Sequence, residues 1–173
     1  MKYPHFIIVI LLSTLLYQSC VCTSSDATYV YLVRHADKGG KDSLSLEGIE
    51  RAYQLKHLLV NSQINTVFST DYNRTKDTAH PLATSLNKKV KIYNAKTLDV
   101  LAKEIKDNYK GKRLLVVGHS NTTPSMVNLL LNNESLSSID EKEYDKLYLV
   151  VLNQCGKSEL VEMQYGVESP KKH

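Results

Sequence analysis

The run Leu114-Leu115-Val116-Val117-Gly118 restricts the fold more than any other stretch of this 173-residue chain. Its apolar residues follow one another without polar alternation, so both faces of the strand they form must be covered. That is the pattern of a central strand in a parallel sheet, packed between two layers of helix. Tyr29-Val30-Tyr31-Leu32-Val33 reads as a second buried strand.

Strand and helix signals alternate around these two runs. Further strands are expected at 66–69, 90–93, 147–152 and 160–163, the last two joined by a turn around Gly156. A first helix should run from Ser45, its cap, to Leu59, with Ile49, Ala52, Leu55 and Leu59 at helical spacing. Asp71 should cap a second helix towards Leu86, with Pro81 kinking or restarting it. Thr97 should cap a third, whose Leu98, Leu101, Ala102 and Ile105 share a face. Thr123 and Pro124 should open a fourth that ends at Leu131, with proline in the favoured first position. This alternation predicts an α/β fold: a three-layer sandwich with a mostly parallel sheet and helices on both faces. Neither a Gly-x-Gly-x-x-Gly sequence nor a P-loop occurs, so nucleotide binding has no motif behind it.

Three strand ends carry charged or imidazole side chains: Arg34-His35, Arg74 after Ser69-Thr70-Asp71, and His119 after Gly118. Charge directly after a buried strand is costly without a task. In a parallel sheet the carboxyl ends of the strands are where ligands bind. An arginine can grip two phosphate oxygens at once, and a neutral histidine can attack phosphorus while the oxygens are held. Arg74 falls in the first turn of its helix, where the dipole disfavours a cation, and a bound anion would remove that conflict.

The segment Leu32-Val33-Arg34-His35-Ala36-Asp37-Lys38 resembles the Arg-His-Gly motif of the histidine phosphatase superfamily, the phosphoglycerate mutase-like fold. Leu44-Ser45-Leu46-Glu47-Gly48 with Arg51-Ala52 resembles its first-helix segment, 69–79 its second arginine segment, and Val117-Gly118-His119-Ser120 its second histidine segment. The four segments stand in the family's order and cover about residues 28–152.

The resemblance implies a reaction through a phosphohistidine. His35 would be the nucleophile, with its other ring nitrogen held by a backbone carbonyl and its protonation opposed by the arginines. Arg34 and Arg74 would clamp the phosphoryl oxygens. His119 would be a further phosphate ligand, protonated or donating a hydrogen bond. Ser120 and Asn121 would either add backbone donors or simply cap the fourth helix. The acid that protonates the leaving oxygen has two candidates. Asp37 is one, its alternative being an ion pair with Lys38 or Lys41; Asp99 is the other, its alternative being a favourable charge at a helix N-terminus. No metal or other cofactor is expected, since the arginines supply the positive charge.

Met1 and Lys2 precede an apolar run from Phe6 to Leu16, whose 11 residues are too few to cross a bilayer, and small residues follow it. Residues 1–22 therefore read as a signal peptide or lipoprotein leader. Tyr17-Gln18-Ser19-Cys20 resembles a loose lipoprotein cleavage site, which would place a membrane-attaching lipid on Cys20; a soluble exported product is the alternative. The domain is expected over 23–167 and a disordered tail over 168–173. Without Lys2 the net charge of +4 drops to near +3, spread along the chain with no basic block of the kind that tracks nucleic acid. Cys155 alone in the globular part makes no disulfide framework and no zinc spacing; its pairing with Cys22 has little behind it. His57 and His80 read as helix-surface residues. Sequons at Asn73 and Asn121 would put glycans beside the site, which favours a bacterial envelope over a eukaryotic secretory route. The expectation is an exported phosphatase acting on a small phosphorylated substrate. A mutase-like phosphotransferase and a non-catalytic envelope protein that binds a phosphorylated ligand are the alternatives.

Overall fold

The computed structural model describes residues 27–154 and 156–169. The leader, Cys20, Cys22, Cys155 and residues 170–173 lie outside the described residues.

Six strands form one sheet: β1 (Thr28–Arg34), β2 (Thr66–Thr70), β3 (Val90–Tyr93), β4 (Arg113–Gly118), β5 (Lys146–Leu152) and β6 (Glu159–Gln164). Their order across the sheet is β3-β2-β4-β1-β5-β6. The first four are mutually parallel, while β5 pairs antiparallel with β1 and β6 antiparallel with β5. Four helices connect them: α1 (Leu46–Leu59), α2 (Asn73–Ser85), α3 (Leu98–Asn108) and α4 (Thr122–Leu131).

The apolar run in β4 does what its pattern requires. Leu114 and Val116 join Leu101, Ile105, Met126 and Leu130 in the core under α3 and α4. Leu115 and Val117 join Leu55, Leu59, Ala79 and Leu82 under α1 and α2. Alternate residues of one strand thus bury into two separate layers, which is the expected three-layer sandwich.

Several local expectations change. Ser45 caps α1 as read, accepting from the Gly48 N–H at 3.1 Å. Asp71 does not cap α2; it pairs with Lys76, and Asp42 from a distant loop accepts the Asn73 N–H instead, at 3.0 Å. The helix continues through Pro81, with no break. Its missing N–H leaves only the Asp77 carbonyl without an intrahelical donor, on the exposed face where water can serve. Thr97 occupies the cap position of α3, but its side chain makes no capping bond. α4 begins at Thr122, capped by the Asn121 side chain at 2.9 Å, so Pro124 is third in the helix, not first. The chain also stays ordered past 167: Ser169 is buried and holds the Tyr144 N–H and the Asp145 carboxylate, at 2.9 and 3.0 Å. The expected tail therefore does not begin at residue 168.

Candidate active site

The three strand ends meet because β1, β4 and β2 are adjacent and parallel. The His35 N–H donates to the Gly118 carbonyl at 2.9 Å, which ties the two histidine-bearing ends together. Gly118 is needed there: a Cβ would lie 2.9 Å from the hydroxyls of both Thr122 and Thr123. Those hydroxyls bind the His119 N–H and the Val33 carbonyl, fixing α4 against the strand ends. The Ala36 N–H is held by Thr78 of α2 at 2.9 Å.

His35 is 4% exposed, and its ring lies 5.6 Å from that of His119. Its Nδ1–H donates to its neighbour's carbonyl, Ala36 O, at 2.8 Å. This fixes the tautomer and leaves Nε2 as an unprotonated base. Burial drives its pKa down to about 4; the Ala36 bond opposes that, and Arg34, Arg74 and His119 reinforce it. The arginines do disfavour protonation, as the sequence implied, but desolvation is the larger cause.

Arg34 is 2% exposed and lies over the Tyr144 ring at 4.2 Å. Its Nη1 donates to the carbonyls of Asp140 and Glu143, and its Nη2 to the Glu141 carboxylate at 2.8 Å. Its Nε–H is buried without a partner. Arg74 stacks on Tyr72 at 4.5 Å, pairs with Asp42 at 2.8 Å and donates through Nη2 to His119 Nδ1 at 3.3 Å. Its Nε–H is likewise buried and unpartnered. The two arginines that act on His35 thus each keep a buried Nε–H without a partner, a donor that an anion reaching it would satisfy. The dipole conflict at Arg74 is already eased by Asp42, so it does not by itself require an anion.

His119 departs from its expected form. Nδ1 accepts from Arg74, so the ring proton lies on Nε2 and is donated to Thr70 Oγ1 at 3.0 Å. Burial first, then Arg74 and Arg34, lowers its pKa to about 4 against the opposing charge of Asp42. In this structure His119 is neutral, and both nitrogens are engaged by the protein. Asn121 turns out to be the helix cap. Ser120 is not; its hydroxyl donates to Glu141 at 2.6 Å.

Asp37 requires a correction. It pairs with neither Lys38 nor Lys41. Both of its carboxylate oxygens face Arg51 of α1, at 2.6 and 3.3 Å. Arg51 is itself buried and donates on to the carbonyls of Tyr165 and Val167, at 3.1 and 2.8 Å. The Ser45 N–H holds the Asp37 carbonyl at 2.9 Å, and Gly48 abuts it so closely that a Cβ would overlap at 2.1 Å. Asp37 is therefore part of a strut that fixes the loop after His35; protonating it would break a largely buried ion pair. Asp99 lies exposed in the first turn of α3.

Asp42, Tyr72, Glu141 and Tyr144 were not found from sequence. Tyr72 and Arg74 share a segment that was read, and a tyrosine two residues before an arginine was a faint available signal. Asp42, Glu141 and Tyr144 come from irregular connections, where no periodicity marks a side chain.

The sequence profile of the histidine phosphatase superfamily, branch 1, matches residues 30–99. No curated protein sequence matches the chain. The fold is shared with the protein histidine phosphatase SixA in its tungstate complex, at 16% identity and a TM-score of 0.63, over 79% of this chain and 96% of that one. A mycobacterial glucosyl-3-phosphoglycerate phosphatase aligns at 13% identity and a TM-score of 0.65, over 81% and 100%. A phosphoglycerate mutase from Plasmodium falciparum aligns at 19% and 0.59, over 86% and 98%. Over residues 30–99 the chain is thus similar to the histidine phosphatase superfamily, and its fold is the phosphoglycerate mutase-like one of these solved structures.

Proposed function

We propose that this protein is a phosphatase that hydrolyses a phosphomonoester or related phosphate through a phosphohistidine on His35. One observation carries the reading. The His35 ring presents a neutral Nε2 while its Nδ1–H is held by Ala36 O, and the two arginines that act on it each keep a buried, unpartnered Nε–H. The solved phosphatases of the same fold support it.

The chemistry follows from those groups. The Nε2 lone pair forms a bond to phosphorus as the bond to the leaving oxygen breaks; that oxygen departs as an anion, which takes a proton from water. The ring gains positive charge, which the Ala36 carbonyl on Nδ1–H stabilises. The arginines meet the charge spread over the phosphoryl oxygens. Water then bonds to phosphorus as the N–P bond breaks, releasing inorganic phosphate and restoring neutral His35. With Asp37 held by Arg51, the reaction suits substrates whose leaving groups need little protonation, such as aryl and acyl phosphates.

The test is to quench turnover of labelled substrate and look for acid-labile phosphate on the protein. Label on wild type, absent from His35→Ala, is expected; unlabelled protein during active turnover would refute the covalent route.

Export belongs to the same proposal. The reading of 1–22 as a leader puts the mature start near residues 20–23, outside the cytoplasm. Mass spectrometry of the native N-terminus decides it: a lipid on Cys20 means anchoring, an unmodified start at Cys22 or Thr23 means a soluble protein, and an intact Met1 refutes export.

A further inference from the structure

The two arginines of the phosphate site are each already matched by a carboxylate. Arg34 pairs with Glu141 and Arg74 with Asp42, both at 2.8 Å. In each pair the acid is the member nearer to solvent. The side chain of Glu141 is 73% exposed over an Arg34 that is 2% exposed, and Asp42 is 36% exposed over an Arg74 at 17%. The arginines therefore form the floor and the carboxylates the mouth. Both acids are held in place by further donors, Glu141 by the Ser120 hydroxyl and Asp42 by the Asn73 N–H.

The charge balance around His35 follows. Two guanidinium groups face two carboxylates, and both histidines are neutral near pH 7. Neighbouring charges change this little. Glu143 is paired with Lys146, Asp37 with Arg51, and Lys76 with Asp71. Lys38 acts on Glu141, but it is exposed, so water and salt weaken its reach. A phosphoryl dianion entering this site adds negative charge to a set that is already balanced. Its unsatisfied donors, the two Nε–H groups, draw the phosphoryl group to the floor. The rest of the compound must then extend towards solvent, past Asp42 and Glu141.

We propose that Asp42 and Glu141 make this site select phosphoryl compounds whose leaving group carries a cationic substituent, aryl or acyl phosphates bearing an ammonium group being the class that also fits the leaving-group preference above. An ammonium group on the leaving side meets the two carboxylates and restores the balance. A carboxylate or second phosphate there meets like charge, and is rejected by repulsion as much as by lack of contact. The inference rests on the phosphate site proposed above and adds the character of what is attached to the phosphate.

The test uses the wild-type protein and three ligands it cannot hydrolyse: 2-aminoethyl-, 2-hydroxyethyl- and 2-carboxyethylphosphonate. They share a two-carbon tail and differ in its charge. Calorimetric titration at pH 7.5 and low salt should rank them in that order, with steps of about fivefold, the scale of a partly exposed ion pair. Glu141→Gln and Asp42→Asn should each shrink the spread, chiefly by tightening the carboxyethyl compound. Equal affinities, or a reversed order, overturn the selectivity and leave the phosphate site standing. If neither these ligands nor inorganic phosphate binds, the phosphate site itself falls, and the selectivity with it.

Discussion

Replacing Asp37 with asparagine separates a strut from a proton donor. In the structure both carboxylate oxygens engage Arg51, whose side chain is 5% exposed against 22% for Asp37. Breaking one partner of a largely buried pair costs about 3–5 kcal/mol when the other charge is left unmatched. Asparagine keeps one carbonyl oxygen that can still accept a bond from Arg51, so the expected cost is about 2–3 kcal/mol. At about 2–4 °C of Tm per kcal/mol in a domain of this size, the variant should melt about 4–12 °C lower. Urea unfolding followed by circular dichroism gives the free energy directly. Arg51→Met should cost at least as much, because it also releases the carbonyls of Tyr165 and Val167. The double variant should lose about 2 kcal/mol less than the sum of the two singles. Activity gives the second readout. A strut should slow aryl and alkyl phosphates by similar, modest factors, whereas a proton donor should slow the alkyl phosphate selectively. An unchanged unfolding midpoint with a loss confined to alkyl phosphates would falsify the strut and return Asp37 to the acid role.

The remaining expectations concern the ring nitrogens, the second arginine and the first helix. His35 and His119 titrate near 4 when folded against 6.5 for the free side chain, so the unfolded chain binds more protons between those values. Stability should therefore drop as pH falls from about 6.5 towards 4, and the urea midpoint at pH 7 and 4.5 should show it; a His35→Gln, His119→Gln protein that kept the full slope would contradict this assignment. Arg74→Ala should reduce kcat/KM by about 100-fold or more, and Arg74→Lys should recover only part of it, because an ammonium cannot grip two oxygens in one plane. Full recovery by lysine would mean that charge alone matters there. Ser45→Ala should cost about 1 kcal/mol in urea unfolding through loss of the Gly48 cap, and a change below a few tenths would show that the cap is redundant.

The legible parts of this protein were those governed by short-range rules. β4 could be placed from five residues because burial on both faces leaves no room for a polar one. Arg34, His35, Arg74 and His119 stood out because charge directly after a buried strand is rare without a use. Ser45 was found as a cap because its bond spans three residues. Asp71 was misassigned by the same kind of local rule: α2 is capped by Asp42, 31 residues away, and no window along the chain contains both. Glu141 and Tyr144 are hidden for a related reason. They lie 107 and 110 residues beyond Arg34, in an irregular stretch whose path is set by contacts such as Ile139 N–H to Ser120 O, and by no repeat in its own sequence. Arg51 was visible as part of a family-like segment, but its task depended on where the chain returns after β6.

The bond from His35 N–H to Gly118 O has a further consequence, for the order in which this protein becomes competent. The two histidines are 84 positions apart, and they come together only when β1 and β4 pair, with β2 on the far side of β4. Pairing of parallel strands so distant along the chain is slow to achieve, because loop-closure entropy must be met before any contact rewards it. Helices α1 and α2 can gather local structure well before that. Far-ultraviolet ellipticity should therefore return early in refolding, while phosphate binding lags. The site is thus a late reporter of assembly, and a chain cut between β1 and β4 has no half-built version of it to offer.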